Sequence, residues 1–453
     1  MSICSKDHGI AAGHGNLLVS FRSVIALLFV TAPIALQADS LEVAVSANRI
    51  EDIPLLKLDK NSFPVVDNFA WRAFIALNWP SLTDVNNRGA ADPTKMLGEP
   101  GPRVWETFKT RYELFPVGSD GSPVAPQPWN TYGAVNPCGA GINAGEKTIA
   151  SFEAFMDFNQ TIAPGVPVNP LVAQNHTYTR YETHVNEIGY TTLGRFSLGE
   201  NMPDQNNPLH MPAGAIAVKA AWRVLTEADT AAIRARYYIV ENANIVDTDK
   251  TLATRGVVCS KRDIALVGLH MVIRTPHRPQ GIWSSFEHID NVPPAGSGEA
   301  REPDARDADA PYSYFDASKP KPTTSIWPKL GSPDALAVNL DNPPNKNPTP
   351  MQVTRQYPIN SSTMEVNRAY WALPEIKTTV WKNYMLVANQ WPTFTRIVDP
   401  SNDGIYYPDA RGENLVNTTM ETYVQASPSS CMSCHRAFNE SGRDFVGMLG
   451  SFR

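Results

Sequence analysis

Between Asp67 and Trp79 apolar residues recur at helical spacing. Trp71, Phe74 and Ile75 share one side, Asp67 stands as a cap and Pro80 closes the run, which predicts an amphipathic helix. Val104–Phe115 reads as a second helix. The middle of the chain has a different period. Ala213–Leu225 and Ala235–Val240 have strand character, and Ile264–Arg274 is the strongest strand. A short proline-containing loop, Thr275–Gln280, leads into Gly281–Ile289, so an antiparallel hairpin is expected. Closing it around that loop sets Gly268 against His288 and His270 against Phe286, with all four on one face. A slip of one residue would separate them.

Asn291–Pro350 holds twelve prolines and the charged string Glu299–Asp309, and reads as a long loop. Ordered sequence resumes in a run ending near Trp371, followed by strand-like Val380–Ala388 and Asn417–Val424. Sheet-forming segments thus lie on both sides of the excursion. The expected fold class is α+β: an antiparallel-sheet-containing body over residues 39–425, with a Pro-rich loop region at 292–350 and a helical segment at 426–453 docked on the body.

The chain begins with Lys6 and Arg22 ahead of the uncharged run Val24–Leu36, and Leu36-Gln37-Ala38 supplies a small residue at a cleavage point. Residues 1–38 read as a secretory signal. The run is shorter than the ~20 residues that cross a bilayer as a helix, so no membrane span is expected in the mature chain.

The formal net charge is −6, and no basic stripe interrupts the sequence. Both points argue against nucleic acid or an anionic membrane as partner. The 38 prolines among 453 residues exceed the usual ~5 % share and predict long surface loops. Of five cysteines, Cys4 leaves with the signal, and Cys138 and Cys259 form a candidate disulfide suited to an oxidising compartment.

The other two cysteines carry the chemistry. Cys431-Met432-Ser433-Cys434-His435 places two thiols three positions apart with a histidine directly after them. This is the attachment sequence for a c-type haem. On a short helix both sulfurs reach the porphyrin vinyl groups, and the imidazole of His435 then lies under the iron as proximal ligand. A zinc site would need a second ligand pair at zinc spacing, and the remaining cysteines are isolated. The expected cofactor is one covalent haem c per chain. Haem attachment of this kind occurs outside the bacterial inner membrane, which agrees with the signal and places the protein in the periplasm of a Gram-negative bacterium.

On Cys431, Cys434 and His435 the chain resembles the bacterial c-type cytochromes, over roughly its last thirty residues. The rest, with Trp71–Pro80, Gly268–Met271 and Trp283–His288, looks like exported bacterial cytochrome c family proteins of no established activity. In small electron-transfer cytochromes the motif lies near the N-terminus. Its position here is similar to that in cytochromes c-prime and in β-sheet proteins sharing that haem position, which often leave the distal iron face without a protein ligand.

The sixth ligand separates the functions. Met448 lies thirteen residues beyond His435, within reach of a chain wrapping the haem edge. His270 and His288 are the alternative distal ligands or acid–base groups. Arg274 has the strand parity to join His270. A second protein ligand implies an electron carrier serving a periplasmic redox partner. An open distal site implies a haem-dependent oxidoreductase or a binder of small molecules, acting on peroxide, dioxygen or a nitrogen oxide. No Gly-x-Ser-x-Gly elbow, phosphate-cradling glycine loop or His-Glu-x-x-His helix is present.

Overall fold

Alternating apolar runs in the middle of the chain assemble into a nine-stranded sheet, antiparallel at every pairing but one. The computed structural model describes residues 46–47, 50, 52, 62–116, 122–132, 147–150, 171–249, 256–294, 310–319, 350–392, 410–411, 417–422, 425 and 431–451. All belong to one unit, Val43–Arg453. The signal read at residues 1–38, Cys138 and most of the proline-rich excursion lie outside the described residues.

The strands are β1 (Lys109–Thr110), β2 (Thr148–Ala150), β3 (Arg180–Val185), β4 (Ile216–Val224), β5 (Ile239–Asp249), β6 (Gly256–Thr275), β7 (Arg278–His288), β8 (Tyr384–Pro392) and β9 (Ala410–Arg411). Their order is β1-β3-β4-β6-β7-β8-β9. The first half of β6 pairs with β5, which in turn carries β2 in parallel. The described helices are α1 (Phe63–Leu77), α2 (Arg111–Leu114), α3 (Glu187–Leu193), α4 (Ala231–Arg234), α5 (Ser361–Trp371), α6 (Pro374–Lys377), α7 (Cys431–Cys434) and α8 (Arg436–Glu440). The α+β class is therefore observed.

One sheet face is covered by α1 and α5. Trp71 stacks on Tyr370 with centroids 4.9 Å apart, and Phe74 on Phe286 at 4.1 Å. Leu266, Leu269, Met271 and Leu386 complete this main core. Burial of such large side chains contributes roughly 1.5–3 kcal/mol each. The opposite face of β6 and β7 receives the turn 417–422 and the segment 431–451, through Thr419 over Gly268 and Met432 and Phe445 against Trp283.

Several expectations are corrected. Helix α1 starts at Phe63, with Pro64 in its first turn, where a missing N–H costs nothing. Asp67 is therefore inside the helix and fully buried rather than a cap. The helix expected over Val104–Phe115 breaks into a 3-10 turn at Val104–Thr107, strand β1 and the short α2. Thr110 accepts from Glu113 N, and Glu113 bonds back to Thr110 N, a capping box that starts α2 afresh. The strand expected at Ala235 begins at Ile239, and that expected at Val380 begins at Tyr384 after a 3-10 turn. Asn417–Thr422 is a turn, not a strand. Asn417 Oδ1 accepts from Thr419 N and Oγ1, the local competition by which such side chains displace a ladder.

The hairpin register is also corrected. His270 faces Ser285, Leu269 faces Phe286, and Gly268 faces Glu287. Pro279 has no N–H for the ladder and Gly281 adopts φ 89°, so the pairing breaks between Ile273 and Thr275 and resumes shifted. Phe286 turns toward α1, and His288 has its strand parity, opposite to that of His270 and Ser285.

Candidate functional site

The site is built on the segment 431–451. His435 N donates to Cys431 O at 2.9 Å, so the first thiol residue and the histidine sit one helical turn apart. Helix α7 is fastened to the sheet by Met432 N, which donates to Gln390 Oε1 of β8 at 2.7 Å. Met432 and Phe445 are buried against Trp283 of β7, with Cys431 and Val272 half-buried beside them. The indole of Trp283 meets the His435 ring edge-on, with centroids 4.9 Å apart. Phe438 stands on another side at 5.6 Å. Gly447 leaves room for both rings, since a Cβ there would lie 3.2 Å from Phe438 and 3.6 Å from His435 Cε1.

The hydrogen bonding of His435 fixes its chemistry. Nδ1 lies 2.8 Å from the Phe445 carbonyl oxygen, which can only accept, so Nδ1 carries the proton. Among the described residues nothing bonds to Nε2, which keeps its lone pair. Burial pushes the imidazole pKa down to about 4 although one edge stays accessible. Lys219 and His270 act in the same direction, and the Phe445 carbonyl and Glu421 oppose it. The ring is therefore neutral at pH 7 and in one tautomer. A histidine that ligates a metal does so as the neutral ring with one nitrogen bare, its other N–H given to a carboxylate, a carbonyl or water. Cys431 and His435 fit a haem c, which would be joined by thioether bonds at Cys431 and at Cys434 of the same motif and would take the Nε2 lone pair for its iron.

The carbonyl that does this work is held in an uncommon backbone. Asp444 and Phe445 are consecutive non-glycine residues with φ of 45° and 62°. Arg274 of β6 donates through Nη2 to Asp444 O at 2.7 Å and through Nη1 to Asp444 Oδ1 at 3.1 Å. Met211 N donates to Asp444 Oδ2 at 2.7 Å. Burial raises the Asp444 pKa, and the Arg274 guanidinium works against that shift. Upstream, Gly442 (φ 79°) receives Leu209 N on its carbonyl at 2.7 Å. A Cβ at Gly442 would fall 2.0 Å from Asp204 O.

His270 lies on the sheet face covered by the turn 417–422, where its Nε2 meets Glu421 Oε1 at 2.8 Å. The other carboxylate oxygen accepts from Asn417 N at 2.9 Å. Lys219 of β4 is its cross-strand partner. His288 is elsewhere and fully buried. Its Nε2 donates to Arg236 O at 3.0 Å, its Nδ1 accepts from Asp290 N at 3.1 Å, and its ring stacks on Tyr237 at 3.8 Å. Burial holds its pKa at about 4. Both nitrogens are used, and the expected grouping of His270 with His288 does not occur. Met448 is half-buried and, like Met202 and Met211, packs against the apolar cluster that holds Val185, Leu193 and Leu449.

Cys259 is disulfide-bonded. Sequence reasoning missed Asp444, Phe445, Trp283 and Met211 as supports of His435. Trp283 alone had a signal, as a large aromatic on the second strand of the expected hairpin. No protein-family model, curated protein or solved structure matches this chain. Among the described residues, no helix is long and apolar enough to cross a membrane.

Proposed function

We propose that this chain is an exported c-type haem protein that transfers single electrons. One haem c is held through Cys431 and Cys434 with His435 as proximal ligand, and a periplasmic redox partner exchanges the electron. The observation that carries the reading is the neutral His435 imidazole, Nδ1–H given to Phe445 O and Nε2 bare, one turn after Cys431. When bound, the group supplies one-electron chemistry at iron. The chain's own residues orient the ring, keep it unprotonated and wall it with Trp283, Phe438 and Phe445.

A second reading, a haem enzyme or small-ligand binder with an open distal face, is favoured by His270 paired with Glu421. The half-buried imidazole and the buried carboxylate form a ready proton-transfer pair.

Full-length protein exported by a host that attaches c-type haem tests both. The carrier reading expects a mass increment of about one haem, low-spin spectra and no change under carbon monoxide. A carbon monoxide adduct would transfer support to the open-site reading. A colourless exported protein of unaltered mass would remove both.

A further inference from the structure

We infer that Arg274 and Asp444 are positioning residues that set the electron donation of His435, a conclusion that rests on the haem reading above. Two left-handed residues in a row reverse the chain after α8 and turn the Phe445 carbonyl back onto His435 Nδ1. A phenylalanine in that region is disfavoured, because its Cβ crowds the backbone. Something must hold the turn, and the contacts name it. Arg274 grips both the carbonyl and the carboxylate of Asp444. Its Nη1 also donates to Pro279 O at 2.5 Å, at the break in the β6–β7 pairing. Met211 N takes the other carboxylate oxygen. The guanidinium thus ties the proximal turn to the central strand of the sheet.

The consequence follows from the bond it preserves. A strong Nδ1–H···O=C bond makes the imidazole a better donor at Nε2, which favours the higher oxidation state of a bound iron. Loosening Arg274 lets the turn relax toward negative φ, moves the Phe445 carbonyl off Nδ1 and weakens that preference. The charge effect has the opposite sign. Removing a nearby guanidinium alone would favour the more positive iron and lower the potential, so the direction of change separates positioning from simple electrostatics.

The test uses the full chain with haem attached, as wild type, Arg274→Gln and Arg274→Lys. Spectroelectrochemistry should show the midpoint rising in Arg274→Gln by a tenfold change in relative ferric preference, about 59 mV for one electron. Arg274→Lys, which keeps the charge and part of the grip, should move the same way by less, and it carries the test should the glutamine variant not fold. Histidine-labelled 15N NMR of the same chains without haem should show His435 as the Nδ1–H tautomer in wild type and a mixture in the variants. An unchanged tautomer, or a lowered or unmoved potential, overturns the proposal. A chain that never takes up haem but loses the tautomer with Arg274 would sink the haem reading and leave the positioning role standing.

Discussion

Asp67 offers the sharpest stability prediction. Its carboxyl is fully buried inside α1 and joins three elements. Thr363 Oγ1 of α5 donates to Oδ2 at 2.7 Å, and Asn389 Nδ2 of β8 donates to Oδ1 at 2.6 Å. Burial raises its pKa from 3.8 to about 7, with the two hydrogen bonds opposing the rise. The unfolded chain therefore releases this proton near pH 4 and the folded chain only near pH 7. Ionisation favours the unfolded state across that window, so stability falls as pH rises through it and is level above. A shift of about three units corresponds to about 4 kcal/mol. Asp67→Asn removes the titration and keeps the geometry, because its carbonyl can accept from Asn389 while its amide donates to the Thr363 hydroxyl, which also accepts. Urea denaturation followed by tryptophan fluorescence at pH 4, 5.5, 7 and 8.5 measures the difference. The variant should match wild type at pH 4 and exceed it by up to about 4 kcal/mol at pH 8.5. A difference that stays flat with pH, or a variant less stable at pH 8.5, would refute the assignment of a strained buried carboxyl.

Three further outcomes follow from packing and charge. Gly268→Ala puts a Cβ 2.2 Å from Thr419 Oγ1, and should cost about 1–3 kcal/mol in denaturant unfolding, partly restored when Thr419→Ala is added. Lys147 lies between Glu106 Oε1 at 2.7 Å and Glu182 Oε1 at 2.5 Å, with the rings of Trp105 and Trp222 each 4.6 Å away. Lys147→Ala should cost roughly 3–5 kcal/mol by stranding buried carboxylates. Burial alone would raise Glu182, but Lys147 and His184 hold it at about 2 against an ordinary 4.5. Its stabilisation is thus full above pH 4.5 and lost as pH falls toward 2, and acid unfolding over that interval should flatten in Glu182→Gln.

The sheet was legible wherever a long apolar run spoke for itself. Ile264–Arg274 lies inside β6, and Gly281–Ile289 runs through β7 and one residue past it. Register was not, because Pro279 and Gly281 break the ladder after a two-residue turn, and alternation alone does not reveal a bulge. That single slip parted His270 from His288. Asp67 misled for another reason: an acidic residue near a helix start reads as a cap, and only α5 and β8, hundreds of positions away, make it a core group. At the site, adjacency in sequence exposed Cys431, Cys434 and His435. Their supports Gln390 and Met211 were hidden because each comes from a distant element and carries no spacing signal of its own, and Arg274 and Trp283 stood on the expected hairpin with nothing in the sequence to tie them to His435.

The distance in sequence between His435 and its supports has a consequence for biogenesis. Residues 431–451 leave the ribosome after Met211, Arg274, Trp283 and Gln390, so the surface that receives this segment is synthesised before the segment itself. Any enzyme that modifies Cys431 or Cys434 meets them most openly before the segment settles. A covalent change at either thiol is thereby easier to make before residues 431–451 close against the sheet than after.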